Sequence, residues 1–175
     1  MAFTVEDGTG LTNANAYITV AEFKAFHDDR GNDYATDFPD DAAIQKAIVS
    51  ATDYIDNNNS FKGCREFPEN PQALAFPRTD ICYDGEELPT VPNQLKNACA
   101  EYAIRATPGT TLQPDPEIDD SGRVVTKVKE VIGPIEEEKE WSDSSSANFI
   151  IKHPYPEADN WLKPLTKNSN RLYRA

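Results

Sequence analysis

Two apolar stripes at helical spacing constrain the fold of this chain more than any other feature. The first recurs every three or four residues, which places its members on one face of an α-helix: Ile44, Ala47, Ile48, Ala51 and Ile55. The second consists mostly of small residues, which allow a neighbouring helix to approach closely: Leu95, Ala98, Cys99, Tyr102, Ala103 and Ala106. The sequence therefore predicts two amphipathic helices within a helical fold.

Capping signals indicate where the first two helices begin and end. Thr19 and Glu22 have the spacing of a capping box, and Gly31 suits the position after a helix end. A first helix of about three turns is predicted between them. Asp40 or Asp41 caps the second helix, because a short acidic side chain accepts hydrogen bonds from free N–H groups of the first turn. Residues 57–59 end it.

Proline residues mark the start of the remaining helices. Pro92 lies at the first turn of the third helix, where its missing N–H costs nothing. Pro108-Gly109 stops that helix. Pro156 begins a short last helix, whose apolar residues are Ala158, Trp161, Leu162 and Leu165.

Residues 123–141 have the character of strands. β-branched residues recur through 123–132, and Gly133-Pro134 separates them from a second strand at 135–141. The two strands form a hairpin or one bent ribbon. Period-2 alternation places Glu136, Glu138 and Glu140 on one face of the second strand.

These signals predict a mainly α fold: a small bundle of about four helices with a β-hairpin or ribbon and extended N- and C-terminal arms. The predicted organisation is an N-terminal arm (1–18), a helical core domain (19–122), the β-ribbon (123–141), and a linker with a C-terminal helix or arm (142–175). A chain of 175 residues has the length of one domain. The segment 61–89 shows no sustained period and is predicted to be an irregular connector.

The charge balance disfavours nucleic acids and membranes as tightly bound partners. The chain has 17 Lys and Arg against 30 Asp and Glu, a formal net charge of −13 at pH 7. Nucleic-acid binders present clustered Lys and Arg to the phosphates. Here the most basic stretch, residues 123–129, leads directly into Glu136–Glu138. Such a surface repels DNA and anionic lipid.

The cysteines and the apolar runs indicate where the chain folds. Cys64, Cys82 and Cys99 are an odd number and contain no Cys-x-x-Cys pair. Neither a signal peptide nor an apolar run of the ~20 residues needed to span a bilayer is present. We expect the chain to fold in a reducing cytoplasm, or to be built into a particle there, without a membrane.

No constellation of catalytic or metal-binding residues is evident. Gly8-Thr9-Gly10 indicates a turn, because no strand–helix context surrounds it. His27 lies on the apolar side of the first helix and is predicted to be a core or boundary residue and not a ligand. The acidic run 115–122 resembles a calcium loop, but Val128 occupies the position that requires Glu. We predict no enzyme, no cofactor and no metal.

Three groups of residues are candidates for contacts with another subunit or partner. Arg78, after Phe76-Pro77, pairs with an acid of the N-terminal arm or of another subunit; the alternative is an ordinary intramolecular salt bridge or a surface arginine. The ribbon places a basic strand beside an acidic one, through Arg123, Lys127, Lys129, Glu136, Glu138 and Glu140; this either joins neighbouring copies or forms an ordinary hairpin. Trp161, Leu162 and Leu165 pack either on a neighbouring subunit or on the core.

Several motifs, in a shared order, resemble one known family. They are Glu6-Asp7-Gly8-Thr9-Gly10-Leu11, Asn13 to Tyr17, Ala51 to Asp56, Phe61-Lys62-Gly63, Gln72 to Arg78, Val91-Pro92, Ala98 with Glu101 to Ala103, and Ile132 to Glu136. The chain resembles the head–tail connector, or adaptor, proteins of tailed bacteriophages, which often carry the label DnaT-like single-stranded-DNA-binding. The glutamate-rich second strand and the acidic 107–122 loop depart from many relatives.

The resemblance implies a structural virion protein of the neck. Such an adaptor forms a ring, typically of twelve copies, between the portal protein and a tail or tail-completion protein, and genomic DNA passes through it during ejection without specific binding. The alternative is the role in the family label, a single-stranded-DNA-binding replication accessory. Because that role requires a basic groove with stacking aromatic residues, the charge of this chain favours the adaptor.

Overall fold

The computed structural model describes residues 2–67, 71–114, 125–131, 136–141 and 154–167, and for the strands at 125–131 and 136–141 it describes the backbone. The chain divides into two compact units. The first contains residues 1–112 and 154–175, and the second contains residues 113–153.

Helices α1 and α2 begin where the capping signals predict. Helix α1 spans Val20–Asp28, and its N-cap Thr19 forms the predicted capping box: the Glu22 N–H donates to Thr19 Oγ1 at 3.1 Å, and the Thr19 N–H donates to Glu22 Oε2 at 2.7 Å. Helix α2 spans Asp41–Asn58, and its N-cap Asp40 accepts from the Ala43 N–H at 2.7 Å. All five residues of the predicted α2 stripe are buried.

Helix α3 lies at the centre of the first unit. It spans Asn93–Arg105, directly after Pro92 as predicted, and packs against α1, α2 and the last helix, α4 (Pro156–Leu162). Ala98 and Ala103 are completely buried, so their small side chains allow the neighbouring helices to approach. Pro156 opens α4, which confirms the predicted start.

Aromatic rings in edge-to-face or tilted contact fill much of the core. Phe23 of α1 packs against Phe38 with ring centroids 5.9 Å apart, and Tyr54 of α2 packs against Tyr102 of α3 at 5.0 Å. These arrangements add a directional preference to the burial of large apolar surfaces.

The N-terminal segment, predicted to be an extended arm, folds back on itself and packs into the first unit. The Glu6 N–H donates to the Ala16 carbonyl and the Asn15 N–H donates to the Thr4 carbonyl, both at 2.9 Å. Tyr17 is completely buried and Ile18 is 1% exposed. The apolar residues that follow the Gly-rich turn are therefore part of the core.

The connector at 61–89 contains two short ribbons that the sequence pattern does not reveal. Strand β1 (Cys64–Arg65) pairs antiparallel with β2 (Arg78–Thr79), and β3 (Cys82–Tyr83) pairs antiparallel with β4 (Glu86–Glu87). The peptide bond between Phe76 and Pro77 is cis. Gly63 has φ of +65°, and a Cβ there would overlap the Thr79 carbonyl oxygen, so the β1–β2 approach requires glycine.

The predicted hairpin at 123–141 is confirmed as an antiparallel pair. Strand β5 spans Val125–Val131 and strand β6 spans Glu136–Trp141. The register is irregular between Val125 and Lys127. In the described part of the chain, four helices with small two-stranded ribbons form a mixed small fold, which agrees broadly with the mainly α prediction. Residues 168–175 of the predicted C-terminal arm lie outside the described residues.

Candidate interaction surfaces

A buried carboxylate organises the N-terminal Gly-rich turn. Glu6 is 3% exposed. Its Oε1 accepts hydrogen bonds from the N–H groups of Gly8 and Gly10, both at 2.9 Å, and its Oε2 accepts from the Leu11 N–H at 3.0 Å. Hydrogen bonds to an ionised acceptor are the stronger kind. The side chain of Glu6 therefore fills the concave turn from within, and the Gly-rich motif is an internal structure.

A second polar network ties this segment to α2 and to the connector. The Tyr17 hydroxyl donates to Asp56 Oδ1 at 2.5 Å, and Asp56 Oδ2 accepts from the Ala75 N–H at 2.7 Å. The Phe76 N–H donates to the Tyr17 oxygen at 3.3 Å. Burial raises the pKa of the Asp56 carboxyl, and the hydrogen bond from Tyr17 opposes this shift.

Arg78 is held by backbone carbonyl groups of its own chain. Its Nε donates to the Lys62 carbonyl and its Nη2 to the Gly63 carbonyl, both at 2.8 Å, and its Nη1 donates to the Ala75 carbonyl at 3.3 Å. The guanidinium thus joins the two sides of the β1–β2 ribbon. Arg78 therefore makes its contacts within its own chain, but its partners are carbonyl groups and not an acid. A contact of Arg78 with another subunit stays a prediction.

The same connector also binds the C-terminal segment. The Lys62 N–H donates to the Leu165 carbonyl at 2.9 Å, and Lys62 Nζ donates to the Pro164 carbonyl at 2.8 Å. Phe61 and Thr166 form an antiparallel bridge. Arg78 and Leu165, 87 positions apart in the sequence, are therefore brought together around Lys62.

The apolar residues of the last helix pack on the core. Leu162 is 2% exposed and Leu165 is completely buried, whereas Trp161 is half-buried. The Tyr102 hydroxyl of α3 donates to Asp159 Oδ1 at 2.5 Å, and Arg105 pairs with Glu157. Leu162 and Leu165 therefore pack on the core, which is one of the two predicted alternatives. Trp161 is half-buried, so its contact with a neighbouring subunit stays a prediction.

The ribbon aligns residues of opposite charge across its two strands. Its Cα register places Lys127 opposite Glu140 and Lys129 opposite Glu138, whereas Glu130 lies opposite Glu137. Cross-strand pairs of opposite charge favour the hairpin. The predicted pairing of a basic with an acidic strand is thus present within one chain. Arg123 lies outside the described residues.

Three basic side chains of the first unit form ion pairs within the chain. Lys24 pairs with Asp41 at 2.6 Å, and Lys96 pairs with Glu22 at 2.8 Å. Arg105 pairs with Glu101 at 2.7 Å. A phosphate that bound these cations would first have to displace their acidic partners.

The aromatic residues are turned inwards. Among the residues whose burial is described, Tyr83 is the one large hydrophobic residue that is exposed, at 46%. Proteins that hold single-stranded nucleic acid combine a basic groove with aromatic side chains on which the bases stack. The described surface of the first unit combines paired cations with buried aromatic rings.

The buried titratable side chains have the properties of core residues. His27 is completely buried, and its ring nitrogens lie 3.1 Å from the Ala100 carbonyl and 3.2 Å from the Asn32 amide nitrogen. Burial lowers the pKa of His27, and the hydrogen bond to the Ala100 carbonyl opposes this shift. Burial raises the pKa of the Cys99 thiol to about 12, and a thiol that stays protonated is a poor nucleophile.

Within the described ranges, no group of three or more His, Cys, Asp and Glu side chains is arranged to hold a metal ion. Within the same ranges, no helix combines the length and apolar character that crossing a membrane requires.

The described residues thus define a small helical protein with a charged β-ribbon. Residues 1–175 match the family described as "Putative DnaT-like ssDNA binding protein". The chain belongs to this family, as the resemblance of its motifs predicted. No curated protein and no solved structure matches the chain. The connector role that the same resemblance implies stays a prediction.

Sequence reasoning missed the residues that organise the N-terminal segment. Glu6 and Asp56 were noted as members of motifs, without a role. A signal for Asp56 was available, because it lies one helical turn after the buried Thr52 and near the apolar stripe of α2. For Glu6, the signal was its spacing of two and four residues from Gly8 and Gly10.

Proposed function

We propose that this chain is a non-enzymatic structural adaptor of the tailed-bacteriophage neck. It assembles as a ring, of about twelve copies by the family resemblance, between the portal protein and a tail or tail-completion protein. Genomic DNA passes through the ring without specific binding. The protein is made in the host cytoplasm and becomes part of the virion.

One observation carries this proposal: the acidic chain combines paired cations with inward-facing aromatic rings in its first unit. A net charge of −13 repels the phosphate backbone. Lys24, Lys96 and Arg105 already bind acidic side chains. A conduit for DNA requires such a surface, because a wall that attracted phosphates would slow the passing genome.

The family description favours a second candidate, single-stranded-DNA binding by a DnaT-like replication accessory. The whole-chain match is the observation behind it. Such binding requires cations that remain available to phosphates. This candidate would draw them from exposed residues such as Lys46 and Arg65, and from Arg123, Arg171 and Arg174 outside the described residues.

The adaptor proposal is tested by assembly of the full-length protein with the portal protein encoded in the same genome. Negative-stain electron microscopy and mass photometry of the mixture are expected to show rings seated on the portal. A chain that stays monomeric and unbound at tens of micromolar of both proteins contradicts the adaptor role.

A further inference from the structure

We propose that the β5–β6 ribbon is the surface through which one copy of the chain binds the next. In this contact the outer edge of β5 on one copy pairs antiparallel with the outer edge of β6 on its neighbour. The inference rests on the proposed function in one respect, since both require the chain to assemble.

The ribbon is a sheet with two edges. Among the described strands, β5 pairs only with β6. Strand β5 has seven residues and β6 has six. A two-stranded ribbon is at best marginally stable in water. Each outer edge also presents a row of backbone N–H and C=O groups to any strand that approaches. Pairing between copies would give every strand two neighbours.

The charges of the strands select which edges meet. Two lysines and one glutamate give β5 a net charge of +1, whereas four glutamates and one lysine give β6 a net charge of −3. A β6 edge therefore repels another β6 edge and attracts a β5 edge. This favours a head-to-tail contact between different edges over a symmetric contact between identical ones.

A head-to-tail contact repeats from copy to copy. It closes into a ring when the rotation between neighbours permits. Because the strands of each hairpin run in opposite directions, joined ribbons form an up-and-down sheet, and closure removes its edges. The register irregularity near Val125 has the form of a β-bulge, and bulges increase the local twist that a closed sheet needs.

A variant with exchanged charges tests the contact between copies while it keeps the opposite charges within the hairpin. The variant K127E/K129E/E138K/E140K keeps opposite charges at both register pairs, Lys127 with Glu140 and Lys129 with Glu138. It exchanges the net charges of β5 and β6 and leaves the total charge of the chain unchanged. Two copies of the variant still attract each other, but a variant copy and a wild-type copy bring like charges together at every contact.

The test is native mass spectrometry of an equimolar mixture of the variant with isotope-labelled wild-type protein. Unlabelled wild-type protein mixed with labelled wild-type protein is the control, and its assemblies are expected to exchange subunits statistically. Each like-charged pair disfavours pairing by a few tenths of a kcal/mol up to about 1. Mixed assemblies of wild type with variant are therefore expected to fall about tenfold or more below the statistical proportion.

Two results would overturn the inference. If wild type and variant mix freely, the ribbon is not the contact between copies, and the adaptor proposal is unaffected. If wild-type protein is monomeric at tens of micromolar, the copies do not bind one another through the ribbon, and only the portal experiment then decides the adaptor role.

A second pair of variants covers the case in which the fourfold variant fails to fold, as judged by circular dichroism. K127E/K129E gives both strands a charge of −3, and E138K/E140K gives both strands +1. Each is expected to be monomeric alone, and their mixture is expected to assemble with alternating composition. A mixture that remains monomeric contradicts the inference.

Discussion

Glu6 is the single residue on which the N-terminal turn depends most, because its carboxylate accepts three backbone N–H groups in a buried position. In Glu6→Gln, an amide NH2 replaces one acceptor oxygen and faces at least one N–H donor. We expect the free energy of unfolding to fall by about 1–3 kcal/mol, the range for a buried donor left unsatisfied. Urea denaturation measures the change.

Asp7→Asn is the matched control, since Asp7 lies in the same turn but is exposed. Its Oδ1 accepts from the N–H and the hydroxyl of Thr9, and Asn keeps an oxygen that can do the same. We expect a change below about 0.5 kcal/mol. Equal losses for Glu6→Gln and Asp7→Asn would contradict the role assigned to Glu6.

His27 makes stability depend on pH. Burial lowers its pKa in the folded state, so below the ordinary value of about 6.5 the unfolded chain binds the proton and the folded chain resists it. Glu101 opposes this shift, whereas Arg30 and Arg105 reinforce it. The stability that His27 contributes is therefore present above pH 6.5 and is lost as the pH falls towards the lowered pKa.

The measurement is urea denaturation of wild type and His27→Gln at several pH values between 7 and 5. The unfolding free energy of the wild type is expected to fall more steeply, by up to about 1.4 kcal/mol per pH unit. The comparison uses slopes, because the substitution also changes the absolute stability. Parallel slopes would show that His27 takes up the same number of protons in both states.

Arg78 is a structural residue in this geometry, because its guanidinium spans three carbonyl groups. A lysine ammonium is a point donor and cannot reproduce that fork. Arg78→Lys is expected to lower the unfolding free energy by about 2 kcal/mol or more. Arg65→Lys, on the exposed neighbouring strand, is the control and should change it by less than about 0.5 kcal/mol. Similar values for both would contradict the structural role.

At the scale of elements, the close packing of α3 against its neighbours depends on small side chains. Ala98 is completely buried on α3, so Ala98→Leu inserts three carbon atoms into a filled space. Such overpacking costs about 1–3 kcal/mol. Ala42→Leu, at an exposed position of α2, is the control and is expected to change stability by less than about 0.5 kcal/mol. Thermal unfolding followed by circular dichroism compares the two, and equal midpoints would contradict the packing.

The helices and the hairpin could be predicted from the sequence because their signals are local. Thr19 and Glu22 are three residues apart, and the α2 stripe repeats within each turn. The β5–β6 pair follows from the β-branched run at 123–132 and from the break at Gly133-Pro134. In each case the residues that interact are close in the chain, so their pattern alone identifies the element.

The connector and the N-terminal segment could not be predicted, because distant partners determine them. Strands β1 and β2 have two residues each and depend on Arg78, which binds carbonyl groups 15 and 16 residues away. Tyr17 meets Asp56 over 39 positions. The contacts of the candidate interface residues could not be predicted for the same reason. Arg78 and Leu165 both bind Lys62, which is distant from each of them in the sequence.

At the scale of the whole molecule, the charge distribution is the observation that supports the adaptor proposal over single-stranded-DNA binding. The net charge is −13. In the first unit the pairs Lys24–Asp41, Lys96–Glu22 and Arg105–Glu101 occupy cations with acids. Binding of single-stranded DNA gains its energy from phosphate contacts and base stacking, and it weakens steeply with salt. Cations that are already paired with acids add little to such binding.

The most direct test of this account is a fluorescence-anisotropy titration of a labelled 30-nucleotide oligothymidine with the full-length protein at about 20 mM NaCl, where electrostatic binding is strongest. We predict no saturable binding up to about 50 μM protein. Saturable binding in the micromolar range that disappears at about 200 mM NaCl would contradict the account and establish the DNA-binding role in its place.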